Sequence, residues 1–294
     1  MTDLSGIIVI NKPCDKSSAF ISRLCGKILG VQKIGHLGTL DPFASGVLPI
    51  ALNNATKLIH YINIKKKVYE FTIIFGIQTN TADKTGIIVN TSSIIPSRND
   101  LENVIKNFMG KIEQVPHAFS AIKINGRKAY EIARKGQIPD IKKRSIEIFD
   151  IEVIDQIDEK TFKLKASVSP GTYIRSLCED IAKSLNTLAY VESLHRIQDG
   201  KFSIKNSITL DELREKMYNL GGVLYPIENL LDDIPVVFVS KKDAIDLGNG
   251  KILKSDVVVN DSENISVLSE DGFFAICRFL EGNLIPKRII RKQF

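Results

Sequence analysis

The stretch KKKVYEFTIIFG, Lys65 to Gly76, alternates Tyr69, Phe71, Ile73 and Phe75 with Glu70, Thr72 and Ile74. A period of two sends the two sets to opposite faces of an extended strand, so the segment predicts a half-buried sheet strand. TFKLKASVS (161–169) alternates in the same way, and RSIEIFDIEVID (144–155) is a third extended run. GIIVINKP predicts a short buried strand closed by Pro13. Helical spacing appears between these strands. SSAFISRLCGKILG puts Phe20, Ile21, Leu24, Cys25, Ile28 and Leu29 on one face, with Ser17 or Ser18 as cap and Gly30 as stop. Asp100 to Gly110 predicts a helix with Leu101, Val104, Ile105 and Phe108 inward. GTYIRSLCEDIAKSLN predicts a turn and another amphipathic helix, carrying Ile174, Leu177, Cys178, Ile181 and Leu185. KINGRKAYEIARKGQ reads as a turn and a short basic helix.

The texture changes after YPIENLLDDIP. Short β-like runs follow (PVVFV, DVVVN, NISVLS, FFAICRFL), split by Gly, Asn and Asp. A boundary is expected near residues 231–235, between a mixed helix-and-sheet domain and a small β-rich one; 294 residues suit about two domains.

Several chemistries are disfavoured at once. Cys14, Cys25, Cys178 and Cys277 are far apart and form no CxxC pair, so free thiols are expected rather than a zinc site or a disulfide framework. The four histidines, His36, His60, His117 and His195, do not cluster, and no GxSxG occurs; a hydrolytic triad and a metal centre are both disfavoured. GNGK (248–251) is expected to be a β-turn rather than a nucleotide loop. The first residues lack the basic start and apolar run of a signal peptide, and no stretch has the length of a membrane span, so a cytoplasmic protein with no membrane association is expected.

GHLGTLDP, residues 35–42, packs two glycines, a histidine, a threonine and an aspartate into eight positions. An Asp-Pro after such a turn is most often a structural turn residue. Gly35 and Gly38 point to close backbone approach, and His36 adds a planar group beside the carboxylate. The formal charge is +6, and basic residues cluster at 65–67, Arg127 with Lys128, 142–144, and Lys287, Arg288, Arg291 with Lys292. Several runs adjoin aromatics (Tyr69, Tyr130), a combination that suits an RNA backbone with unstacked bases.

Taken together, the segments resemble the bacterial tRNA pseudouridine-55 synthases of the TruB type. GIIVINKPCDKSS, VQKIGHLGTLDPFASGVLPIALNNATKL, KVYEF, TNTADKTG, PHAFSAIKINGRKAYEIARKG, GTYIRSLCEDIA and ESLHRI follow in the family's order, and GNLIPKRII is similar to its closing element. The resemblance implies an α+β fold: a mixed, largely antiparallel central sheet flanked by helices, with a small β-rich PUA-like C-terminal domain. It implies a catalytic domain over 1–232, with an RNA-binding insertion at 123–145, and an RNA-binding domain over 233–294.

The implied activity is isomerisation of the T-loop uridine of tRNA to pseudouridine, with no cofactor, no metal and no obligate protein partner. Asp41 matches the essential aspartate, Tyr69 the tyrosine that stacks on the target base, and Arg175 the arginine that pairs with the aspartate. A bidentate Asp41–Arg175 pair and an unshifted Asp41 pKa are the expectation. Tyr173 and Leu194 match pocket walls, and His36 matches a contact to the rearranged T-loop. Asp83, Lys12, Arg127 and Lys128 fall on further substrate-binding positions. The chain departs from the family at Asp15 and Asn53, where glycine is usual, and at Leu37, His117 and Phe119, which puts loop shape in question. A guide-RNA-dependent synthase, a tRNA-binding folding protein without catalysis, and a nucleosidase are the rival readings.

Overall fold

The computed structural model describes residues 4–124, 126–255, 262–272 and 274–291. Its body is a ten-stranded sheet. Across it the order is Leu224–Pro226, Gly6–Lys12, Ser45–Leu52, Ala189–Asp199, Lys67–Phe75, Thr161–Val168, Arg144–Gln156 and Gly110–Gln114, with two short strands attached beside this path. Every pairing between these strands is antiparallel except one. Ala189–Asp199 meets Ser45–Leu52 in parallel, over His195–Ser45 and Arg196–Gly46. This seam brings the chain leaving GHLGTLDP against the strand that carries Leu194.

The strand Lys67–Phe75 lies at the middle of the sheet, flanked by Thr161–Val168 and Ala189–Asp199. Phe71, Ile73 and Phe75 are fully buried and join Phe162, Leu164, Leu177 and Ile181 in one core, the last two from the helix Ile174–Ser184. The helix Ser18–Leu29 covers a second core with Ile21 and Cys25. Ser17 Oγ accepts the Phe20 N–H, and Gly30 stops the helix at φ 65°. Phe20 departs from the expected buried face: it is exposed, with the Lys16 ammonium 5.6 Å above its ring.

Ser45–Leu52 is a buried sheet strand; its interior residues are covered on both faces, which removes the alternation that marks a half-buried strand. Two further expectations are adjusted. The expected helix at 100–110 is Arg98–Ile105 followed by a single 3₁₀ turn, because Gly110 at φ 88° already opens the next strand. GNGK is a turn, and it closes a helix: only Gly248 belongs to Lys241–Gly248, and the Gly250 and Lys251 N–H groups donate back to the Leu247 and Asp246 carbonyls.

The first sheet's last strand ends at Pro226, and a separate five-stranded sheet begins at Val236. Its order is Val236–Phe238, Ser262–Leu268, Phe274–Leu280, Asn283–Arg291 and Leu253–Lys254. The expected run DVVVN (256–260) lies outside the described residues. Phe274, Ile276 and Ile290 of this sheet share a core with Leu58, Ile62 and Ile227. Lys57 Nζ donates to the Ile289 and Ile290 carbonyls at 3.2 and 2.9 Å, tying the two sheets together. Cys25, Cys178 and Cys277 are buried free thiols, and burial pushes Cys25 and Cys277 up to about 12. Cys14 is free and exposed. Among the described residues no helix is long and apolar enough to cross a membrane, and no cluster of potential metal ligands occurs.

Candidate active site

The loop between Ile34–His36 and Ser45–Leu52 carries Asp41, and it is pinned from several sides. Ser18 Oγ, at the start of a helix, accepts the Leu40 N–H and donates to the Leu40 carbonyl, both at 2.9 Å. Lys12 Nζ donates to the carbonyls of Pro13, Lys16 and Pro42 at 3.0, 2.7 and 3.1 Å. Lys12 is fully buried, and burial pulls it down to about 8. Its three N–H bonds are spent on carbonyls, so the geometry is that of a clamp on the loop rather than the expected substrate contact. Gly38 holds φ 60°, and a side chain there would meet Lys67 Nζ at 2.5 Å and Asp199 Oδ2 at 2.8 Å. The glycine is therefore required for close approach as well as for its dihedral.

Arg175 lies in the first turn of the helix Ile174–Ser184, and its guanidinium is almost wholly buried. Nε lies 2.9 Å from Asp41 Oδ2, at an angle that makes the contact ionic rather than an aligned hydrogen bond. Nη1 donates to the Thr81 carbonyl at 2.9 Å and to Asp83 Oδ2 at 3.1 Å. Nη2 donates to the Phe119 carbonyl at 3.0 Å. The expected bidentate Asp41–Arg175 fork is thus absent, because the guanidinium is shared between two carboxylates and two carbonyls. Asp83 is buried behind Arg175, and its Oδ1 accepts from Thr81 Oγ1, the Thr85 N–H and Thr85 Oγ1. Its geometry is that of an anchor for Arg175.

Asp41 keeps about a third of its side chain exposed (32%), toward a cavity of about 290 Å³. The cavity is walled by Tyr69, Tyr173, Leu194, Arg175 and Lys67, with Ala121 and Ile122 on a further side. Burial raises the Asp41 carboxyl above its ordinary value; Arg175 opposes this and Asp83 reinforces it. The expectation of an unshifted group is corrected by that direction. Burial likewise raises the Tyr69 hydroxyl, so it stays protonated at neutral pH.

Tyr173 opens the Arg175 helix. Its N–H donates to Gln114 Oε1 at 2.8 Å and its carbonyl accepts from Gln114 Nε2 at 3.1 Å, while the Arg144 guanidinium lies 5.6 Å from its ring centre. Gln114 is fully buried and had no signal in sequence, since one amide in a strand looks like any polar residue. His36 does not line the cavity. Its Nδ1 lies 3.0 Å from Ser22 Oγ and its Nε2 3.2 Å from Thr39 Oγ1, and Thr39 does line it. Burial, with the Arg196 cation, lowers His36, leaving it neutral.

Arg127 and Lys128 are exposed on the hairpin strand pairing Lys123–Ile124 with Arg127–Lys128. The segment that follows hangs on the cavity wall: the Ala129 N–H donates to the Ile122 carbonyl at 2.7 Å, and the Tyr130 N–H to the Ser120 carbonyl at 3.0 Å. At two departures from glycine, Asp15 and Asn53 hold φ 61° and 47°, so the left-handed backbone is kept by the side chains most tolerant of it. His117 Nδ1 accepts the Phe119 N–H at 3.2 Å, shaping the turn whose carbonyl receives Arg175.

The cavity therefore offers one carboxylate held by an arginine, an aromatic wall, an aliphatic wall and a basic rim. It suits a planar neutral group attached to an anionic chain.

Comparison with known proteins shows the family. Residues 26–174 match the family model described as TruB family pseudouridylate synthase, N-terminal domain. Residues 175–232 match that described as tRNA pseudouridylate synthase B C-terminal domain. A tRNA pseudouridine synthase B of Caulobacter vibrioides is 36% identical, over 98% of this chain and 96% of that protein. One from Clostridium kluyveri is 38% identical over 95% and 93%. Among solved structures, a chain of a Cbf5–Nop10–Gar1 complex superposes with a TM-score of 0.72 at 21% identity, over 98% of this chain and 85% of that one; it establishes the fold. With the two family matches spanning most of the sheet and all of the cavity, the chain belongs to the TruB family of pseudouridylate synthases.

Proposed function

We propose that this chain converts the T-loop uridine of tRNA (position 55) to pseudouridine in the cytoplasm, with Asp41 as the reacting carboxylate. The isomerisation breaks the C1′–N1 bond, turns the uracil and joins C1′ to C5. C5 gives up a proton and N1 gains one, so atoms balance with no redox partner or group donor. The target base must leave its stack, at a cost of a few kcal/mol. Tyr69 supplies a face for it to stack on, and Leu194 closes the pocket against water. Arg175 holds Asp41 in one place, which is its main benefit, since pairing also weakens a carboxylate as a nucleophile.

The observation that carries this reading is the position of Asp41, with its one open side facing the cavity that Tyr69 and Leu194 enclose. The basic segment at 123–145, anchored on the cavity wall, fits a role in gripping the stem of the T-arm, with Arg127 and Lys128 on phosphates. A domain division at about residue 232, with the second sheet as a PUA-like RNA-binding module, belongs to the same reading. The relatives at 33–42% identity carry the tRNA name, whereas the Cbf5 likeness at 19–21% speaks to fold alone; the proposed reading takes the chain to act without an obligate protein partner.

The test is to incubate the purified chain, with nothing added, with an unmodified T-arm stem-loop and to map pseudouridine by site. Product at the T-loop uridine is expected. Absence of product, or product only with added proteins and guide RNA, would refute the reading, and release of free uracil would identify a nucleosidase.

A further inference from the structure

Arg196, on the strand Ala189–Asp199, is the largest fully buried side chain among the described residues, and it does not line the cavity. Its contacts converge on the catalytic loop. Nη2 donates to the Gly38 carbonyl at 2.7 Å, and Nε donates to the Val47 carbonyl at 2.8 Å. Gly38 begins the turn that carries Asp41, and Val47 lies in the strand that leaves it. One guanidinium therefore spans both ends of the Asp41 loop. In the sheet register Arg196 stands directly opposite Tyr69. The same residue is thus bonded to the loop of the carboxylate and paired across the sheet with the residue that carries the stacking ring.

A buried cation in this position needs a counter-charge. Asp199, fully buried three residues on, provides it: Oδ2 lies 3.2 Å from Arg196 Nη2, and Oδ1 lies 3.4 Å from Lys67 Nζ. Neither oxygen accepts an aligned hydrogen bond, so Asp199 is held by the two cations alone. All three side chains pack on the bare Cα of Gly38.

We propose that Arg196, neutralised by Asp199, is a positioning residue of the reaction that fixes the Asp41 loop relative to Tyr69. This inference rests on Asp41 being the reacting carboxylate. Lysine in place of Arg196 keeps the charge, but its single ammonium cannot replace a planar fork whose Nε and Nη2 serve carbonyls on different segments. A misplacement of the carboxylate on the scale of 1 Å costs about a hundredfold in rate.

Three proteins decide the matter: the parent, Asp41→Asn and Arg196→Lys. Each is measured well below its own unfolding midpoint, by single-turnover pseudouridine formation at saturating T-arm RNA and by a binding isotherm. Arg196→Lys is expected to lose at least tenfold in the single-turnover rate while its Kd stays within threefold. A second variant, Asp199→Asn, leaves the two cations facing each other and is expected to show the same split. The double variant Lys67→Met/Asp199→Asn removes that repulsion and is expected to regain part of the rate. A merely structural role for Arg196 would lower the unfolding midpoint and leave the saturating rate of folded protein within twofold of the parent, which would overturn the proposal. So would a loss carried entirely in Kd. An inactive parent, or an active Asp41→Asn, would instead sink the underlying reading of Asp41.

Discussion

Replacing Asp83 with asparagine isolates one half of the arrangement that holds Arg175. The variant matches aspartate in size, but whichever way its amide turns, a donor meets a donor. On one side is Arg175 Nη1 at 3.1 Å; on the other is the Thr85 N–H at 2.9 Å. The site is almost fully buried, so water does not relieve the mismatch. Breaking a buried pair by removing one partner costs about 3–5 kcal/mol. Asp41 still faces the same guanidinium at 2.9 Å, which places the cost near the lower end, at about 3 kcal/mol. For a chain of this size that is a drop in Tm of roughly 6–12 °C.

The effect on chemistry has a definite sign. The Asp83 charge raises the Asp41 carboxyl, so removing it lowers that carboxyl, and a guanidinium with one partner fewer pulls further down. The acid limb of the pH–rate profile is therefore expected to move to lower pH. Turnover above that limb is expected to fall, because a more tightly held carboxylate is a weaker nucleophile, while RNA affinity holds. Scanning calorimetry and single-turnover assays from pH 4 to 8 give both readings. An unchanged midpoint, or an acid limb that stays or moves upward, would refute the reasoning.

Other perturbations test other links. Changing Arg127 and Lys128 to glutamine should make the log Kd against log salt plot shallower by about 1.4–1.8 if each touches one phosphate; an unchanged slope would show a solvated face. Gly46→Ala should destabilise the fold by about 3 kcal/mol, since its φ is 101° and the new Cβ would lie 2.3 Å from the Arg196 carbonyl oxygen, backbone that cannot give way; a midpoint within 2 °C of the parent, on the order expected of a neutral change, would contradict this. Lys12 titrates at about 8 when folded against an ordinary 10.5, so between these values the unfolded chain binds the extra proton and this group's contribution to stability rises with pH. The stability of the parent minus that of Lys12→Met should accordingly rise from pH 8 to 10.5, and a constant difference would count against the burial of a charged Lys12.

What the sequence discloses and what it withholds divide on physical grounds. The helix Ser18–Leu29 is legible at both ends, because Ser17 and Gly30 act locally, and the strand Lys67–Phe75 is legible because its alternation is a local period. The strand Ser45–Leu52 is not, since burial on both faces removes the period. At the site, motif order pointed to Asp41, Tyr69 and Arg175, and the geometry puts all three around one cavity. Their support was out of reach. Asp83 stands 92 residues from Arg175, and nothing local shows that the guanidinium is shared rather than forked. Nothing local in the sequence shows that the fold turns the N–H groups of Lys12 and Arg196 onto buried carbonyls. Arg196 in particular lies inside the motif ESLHRI, where its neighbour Leu194 draws the attention.

The central claim is that Asp41 reacts and does not merely bind. Asp41→Asn keeps the size of the side chain and removes the charge, so a T-arm stem-loop assayed for product and for affinity separates the two roles. The account predicts no pseudouridine at the T-loop uridine, with a Kd within a few-fold of the parent. Turnover close to the parent's would contradict it.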